Sequence, residues 1–163
     1  MLVEDIVISS TLTDFRSGRS CFEFRVGIEG EAAATAARSR TQDDIVRLSD
    51  TLALLEDPAT QTNLGLDEDF AFHVLVATAS HNDYFVSALC SLKPVIYQGM
   101  LLARTPSNVN VAEKLAAINQ QHRLVYDAIV ARDIDGARHA MRDHLNRCKR
   151  STSQWYLQKA ELP

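Results

Sequence analysis

Two runs of helical periodicity separated by a single break constrain this chain more than any other feature. Leu115, Ile118, His122, Val125 and Ile129 recur at three- and four-residue steps, as do Ile134, Ala137, Met141, His144, Leu145 and Cys148. This spacing lines one face of an α-helix. Between the runs lies Arg132-Asp133-Ile134-Asp135-Gly136, whose aspartates and glycine suit a helix stop and a new N-cap. In an antiparallel hairpin turning near Asp133, His122 and His144 would each stand 11 residues from the turn. That is roughly 16 Å along each axis at about 1.5 Å per residue. Each histidine therefore holds a core position, and the two sit at one level.

Asp69 and His73 form an i, i+4 pair, which places both side chains on one face of a third helix. An isolated Asp-x-x-x-His pair is commonly only a hydrogen-bonded surface pair. A carboxylate and three imidazoles on inward faces are different, because desolvating them is expensive unless something binds them. A divalent metal ion is the simplest partner, with Asp69, His73, His122 and His144 as its expected ligands. His81 lies in an expected break between helices and His139 lies off the Ile134, Ala137, Met141 stripe. Both are expected to be solvated.

A chain of 163 residues is large enough for one well-buried core and short for two ordinary domains. Cys21, Cys90 and Cys148 are odd in number, far apart and without C-x-x-C spacing. Neither a disulfide framework nor a thiolate zinc site is expected, and a reducing cytoplasm fits. Glu4 and Asp5 stand where a secretory signal would be basic. The stretch Tyr84 to Ala103 is apolar nearly all round but is interrupted by Lys93 and Pro94. It reads as the centre of a soluble bundle rather than a membrane span. With 17 basic against 21 acidic side chains the net charge is −4, which gives no broad attraction for nucleic-acid phosphates. The basic cluster Arg142, Arg147, Lys149 and Arg150 lies toward a helix end, where cations complement the dipole.

A coarse pass along the chain predicts about six helices and no sheet. Residues 1–20 are expected to be irregular, with a β-like run at Ile6-Val7-Ile8 and a turn at Ser17-Gly18-Arg19-Ser20. Helices follow over Phe22–Arg38 and Thr41–Glu56, the second capped by Thr41 with Asp44 three residues on and ended by Asp57-Pro58. Further helices are expected over Leu66–Ser80 and over Asp83–Arg104, the latter kinked at Pro94. A turn at Thr105-Pro106-Ser107-Asn108 precedes the histidine hairpin at Val109–Leu157. Consecutive helices with short connections pack most simply as an all-α antiparallel bundle.

Several segments together resemble a known family. They are Glu23-Phe24-Arg25-Val26-Gly27-Ile28-Glu29-Gly30-Glu31-Ala32-Ala33, Asp69-Phe70-Ala71-Phe72-His73 followed by Ala79-Ser80-His81-Asn82, and His122 with Asp133 to Leu145, ending in Met141-Arg142-Asp143-His144-Leu145. The chain resembles the FCD domain, the C-terminal effector-binding domain of the FadR subfamily of GntR-type transcription regulators, over roughly residues 20–155. His81 departs from the small residue the family commonly carries before the Asn. The resemblance implies residues 1–20 as an irregular segment or linker remnant, 21–158 as the FCD-type bundle and 159–163 as a tail. It implies one metal ion held by Asp69, His73, His122 and His144, a small carboxylate effector and a homodimer. DNA would be reached only through an N-terminal winged helix-turn-helix, for which the roughly 20 residues before the bundle have no room. The chain by itself is therefore not expected to retard operator DNA.

Three imidazoles and one carboxylate suit zinc, nickel or manganese; zinc is put first, although the sequence does not choose. Around an octahedral ion they leave two positions for water or for the carboxylate and hydroxyl of an organic acid. Arg25 and Asn82 are the expected effector contacts, Arg25 because a guanidinium pairs with a carboxylate through two hydrogen bonds. An i, i+4 ion pair with Glu29 in an exposed setting is the competing role for Arg25. A ligand-sensing domain rather than an enzyme is expected, since Glu29, Glu31 and Glu68 are available as acids or bases but nothing ties them to the site. The alternative is a mononuclear metal-dependent enzyme acting on a small organic acid. A dimerisation module with satisfied core histidines is a third class.

Overall fold

A computed structural model describes residues 15–61, 64–104 and 110–160. The expected β-like run at 6–8 and the turn at 105–108 lie outside these residues. Among them the chain is helical, with no strand: α1 (Phe15–Ser39), α2 (Gln42–Glu56), the single turn α3 (Pro58–Gln61), α4 (Leu66–Ala79), α5 (Asp83–Ser91), α6 (Lys93–Arg104), α7 (Val111–Val130) and α8 (Ile134–Ala160). The all-α bundle expected from periodicity is what forms.

The longest pair, α1 and α8, packs most extensively. Ala32, Ala33, Ala34, Ala36 and Ala37 are all buried along α1, and short side chains let two helix axes approach closely. Of these, Ala33, Ala36 and Ala37 meet Ala137, Met141 and Leu145 of α8 in a core shared with Leu48 and Leu52 of α2, Phe72 and Val76 of α4, and Val125 and Ile129 of α7. A second cluster joins Ala32, Phe70 and Ala77 to Leu89, Ile96 and Met100 of α5 and α6. Thus α4 is wedged between α1, α2 and the α5–α6 layer, which carries its 69–73 face inward.

The hairpin turns where the sequence placed it. Arg132 takes φ +57°, ending α7, and its guanidinium donates to the carbonyls of Arg38 and Arg40, tying the turn to the end of α1. The Asp133 carboxylate then accepts from Gly136 N at 2.9 Å, capping α8. Thr41 and Asp44 form the expected capping box of α2. Ile134 is exposed rather than part of the buried stripe, because it is the first residue past the cap.

Three expectations are corrected. The helix α1 begins at Phe15 and passes through Ser17-Gly18-Arg19-Ser20, so this run is not a turn; an exposed Arg19–Glu23 pair one helical turn apart supports it. At the other end α8 continues to Ala160, past the expected end at Leu157. The stretch Tyr84 to Ala103 is not one kinked helix at the bundle centre. It is two helices bent by 68° at Leu92, with Pro94 in the first turn of the second, where its missing N–H is harmless. In α5 only Leu89 is fully buried, while Ser87, Cys90 and Ser91 face outward with Tyr84. Among the described residues no single helix is long and apolar enough to cross a membrane.

Candidate metal centre

The wedged position of α4 and the level hairpin bring Asp69, His73, His122 and His144 to one place in the interior. Each is at most 2% exposed. One ring nitrogen from each of His73, His122 and His144 lies within 4.8 Å of the other two. His73 Nε2 stands 3.3 Å from His144 Nε2 and 3.3 Å from Asp69 Oδ1. His122 Nε2 stands 3.6 Å from Asp69 Oδ2, and its ring is packed against Phe72 at 4.7 Å between centroids.

The surroundings orient these rings. His73 Nδ1 lies 2.5 Å from Glu29 Oε2, close enough for an ion pair although off the line of a hydrogen bond. His144 Nδ1 lies 2.9 Å from the Gln121 side-chain oxygen. The Gln121 oxygen at His144 Nδ1 and the Glu29 charge beside His73 Nδ1 favour the proton at that nitrogen in the neutral ring, which leaves the Nε2 lone pair directed inward. Two such lone pairs facing at 3.3 Å repel unless a proton or a cation lies between them. His122 is more exposed to this cost, since neither of its ring nitrogens has a hydrogen-bond partner among the described residues. A buried polar group without a partner is destabilising by about 1–3 kcal/mol, so the site fits a bound cation better than it fits a closed core.

Charge in the site is distributed accordingly. Burial, reinforced by the neighbouring rings, holds His144 well below the usual histidine range and His122 down to about 3. Both are neutral and able to ligate near pH 7. For His73 burial acts downward but Glu29 and Asp69 outweigh it and raise its pKa. Asp69 is held far below the usual carboxylate range because Arg104 and the histidines overcome its burial. Burial pushes the Cys148 thiol up to about 12, and its Sγ lies 4.0 Å from His144 Nδ1. The side chains gathered here offer ring nitrogens and carboxylate oxygens.

Two expected effector residues part company here. Arg25 is 2% exposed and lines the inner pocket with Phe22, Asp69, His73, Arg104 and His144. It does pair with Glu29, Nε to Oε1 at 2.5 Å, but in the interior rather than on the surface, and its Nη2 has no hydrogen-bond partner. Asn82 does not join the site: it is exposed, it caps α5 by accepting from Tyr84 N, and it does not line the pocket. His139 is exposed as expected. His81, at φ +55°, is half exposed with Nε2 3.0 Å from Asp44 Oδ2.

Three residues were missed. Glu29 is tied to the site after all, through His73. Its spacing from Phe22, Arg25, Ala32, Ala33 and Ala36 puts it on the apolar stripe of α1, a signal as readable as that of His122. Its carboxyl is a poor proton donor or acceptor, because Arg25 and His73 overcome burial and hold it down to about 2. Arg104 continues the Ile96, Met100, Ala103 stripe of α6 and donates to Asp69 Oδ2 and to the Leu64 carbonyl. Gln121 has no periodic signature, since it flanks His122 on a half-buried edge.

A family model described as the FCD domain matches residues 20–147. A protein of Escherichia coli (strain K12), described as a candidate regulator of the L-lactate dehydrogenase operon, is 32% identical over 126 residues, covering 76% of this chain and 47% of that protein. The Glc operon transcriptional activator of the same organism is 29% identical over 134 residues, covering 79% and 52%. The regulator LutR of Bacillus subtilis (strain 168) is 27% identical over 127 residues, covering 78% and 58%. The chain thus spans about half the length of the curated relatives it matches. A solved structure titled Streptococcus agalactiae GntR shares the fold with a TM-score of 0.70 at 22% identity, covering 88% of this chain and 64% of that one.

Proposed function

The chain belongs to the FCD domain family, and from that premise we propose that it is the effector-binding domain of a transcription regulator, holding one divalent metal ion at which a small carboxylic acid is sensed. The observation that carries the metal is His122: a fully buried ring with both nitrogens unpartnered, beside two inward-facing Nε2 atoms. Asp69, His73, His122 and His144 would hold the ion. Zinc is put first among zinc, nickel and manganese because the nitrogen-rich set suits it. When bound, the ion supplies Lewis-acidic positions for the oxygens of an acid.

The chain's own residues do the rest. Glu29 and Gln121 keep the His73 and His144 lone pairs inward. Arg25 presents an unpartnered guanidinium nitrogen to the inner pocket, where a carboxylate would complete its hydrogen bonds. The L-lactate in the name of the operon assigned to the first E. coli relative makes a hydroxy-acid a natural class to test. Binding would favour one arrangement of the bundle over another in proportion to the difference in affinity, and DNA would be contacted by a separate domain of a dimeric regulator in the cytoplasm. An enzyme is not favoured, since Glu29 is neutralised by Arg25 and His73. Elemental analysis of protein purified without chelator, for wild type, His122→Ala and His144→Ala, tests the reading. About one equivalent of metal is expected in wild type and little in either variant; equal metal in all three refutes it.

A further inference from the structure

The inner pocket, lined by Arg25, Arg104, Asp69, His73 and His144, has a volume of only about 10 Å³, room for about one water molecule. A larger cavity of about 110 Å³ adjoins it and shares Ala103, Ile118 and Cys148 as a common wall. Lys114, Ile118 and Gln121 of α7 line it on one helical stripe, and Arg147, Cys148 and Ser151 of α8 line it opposite. Two helices thus bring one cation each to the same chamber in a chain whose net charge is −4. Arg147 is exposed and makes no hydrogen bond or ion pair among the described residues. Gln121 belongs to both places, since its side-chain oxygen lies 2.9 Å from His144 Nδ1 while it walls the outer chamber.

We propose that the outer chamber is a second anion subsite, where Lys114 and Arg147 take the distal carboxylate of a dicarboxylic acid whose other end reaches the inner pocket. This rests on the reading of the inner pocket as a carboxylate sensor. The volumes carry the division of labour. The inner pocket admits little more than one carboxylate oxygen, so the remainder of any acid must extend past Cys148 into the chamber. What it meets there is two cations and the Ser151 hydroxyl rather than an apolar lining. A terminal methyl group would offer nothing to the Arg147 guanidinium; a terminal carboxylate would meet Arg147 and Lys114 together.

Isothermal titration of the full chain loaded with one equivalent of zinc tests this with matched probes: malate against 2-hydroxybutyrate, and 2-hydroxyglutarate against 2-hydroxyvalerate. The dicarboxylate of at least one pair is expected to bind about tenfold more tightly, about 1.4 kcal/mol. The Arg147→Gln/Lys114→Gln variant is expected to bring that ratio close to one. Equal affinities within both pairs in wild type overturn the second subsite and leave the carboxylate sensor standing. Failure of all four acids to bind the zinc-loaded chain overturns both. A dicarboxylate preference that persists undiminished in the double variant places the discrimination at Arg25 and Arg104 and overturns the role given to the outer chamber. The comparison within wild type needs no variant to fold.

Discussion

Replacing His122 by leucine separates a metal ligand from a packing residue by the sign of its effect. In the metal-free protein this ring is fully buried, lies 4.7 Å from the Phe72 ring and has both nitrogens unpartnered. Leucine has a similar volume and removes two polar atoms whose desolvation is uncompensated, worth about 1–3 kcal/mol. Imperfect repacking against Phe72 returns up to about 1.5 kcal/mol. The metal-free variant is therefore expected to be more stable than wild type by about 1 kcal/mol, an upward shift of about 2–4 °C for a chain of this size. With zinc the order inverts. At a free concentration about 1,000 times the dissociation constant, a ligand that binds only the folded state adds about 4.1 kcal/mol, which wild type gains and the variant, missing one donor, largely loses. Differential scanning fluorimetry in chelator and in a zinc series reads both arms. A variant that is destabilised by the same amount in both would mean that His122 is a packing residue, and the reasoning from its unpartnered nitrogens fails.

Two further outcomes follow from the charges around the site. Arg104→Met leaves the buried Asp69 carboxylate without its guanidinium partner, which is expected to destabilise chelated protein by about 3–5 kcal/mol. The loss should shrink with metal present, because the ion takes over that charge; an equal loss under both conditions would show Arg104 to be independent of the centre. In chelated protein His122 and His144 ionise less readily folded than unfolded, so the unfolded chain binds more protons as pH falls below the ordinary 6.5. Stability therefore falls with acidification from about pH 6.5 to 4.5, by up to about 1.4 kcal/mol per pH unit for each ring. His73 has the opposite sign: its contribution is present below the ordinary value and is lost as pH rises through its raised one. Urea denaturation across this range should show a shallower acid limb in His122→Leu, and an unchanged slope would contradict the neutral state assigned to that ring.

The helices were legible because burial leaves a 3.6-residue signature wherever one face of a helix meets the core. That is why the α7–α8 hairpin emerged from spacing, while its turn at Asp133 and the Thr41 cap were marked by residue type. The signature weakens where a helix is apolar for reasons other than position. Tyr84 to Ala103 read as central because its mean composition is apolar, yet Ser87, Cys90 and Ser91 already marked an outward face. The run at 17–20 read as a turn because serine and glycine are weak helix formers, but the start of a long helix that is anchored farther along, from Phe22 on, tolerates them.

The site divides along the same line. Its four acidic and imidazole groups were found because a titratable residue on an apolar stripe is anomalous, and the anomaly has a chemical meaning. Arg25 was singled out, but Glu29 and Arg104 sit on equally apolar stripes and were passed over, Glu29 because an Arg and a Glu one turn apart satisfy a simple surface rule. In the fold that pair lies inside: Glu29 orients His73, and Arg25 keeps one nitrogen free toward the pocket. Two buried guanidinium groups and two buried carboxylates balance within the interior without any metal, the neutral rings of His122 and His144 add no charge, and His73, whose pKa is raised, gives up any Nε2 proton when it ligates. A divalent ion therefore brings net positive charge into a nearly balanced interior. An anionic ligand entering beside it restores that balance, so binding of the acid and binding of the metal should each strengthen the other.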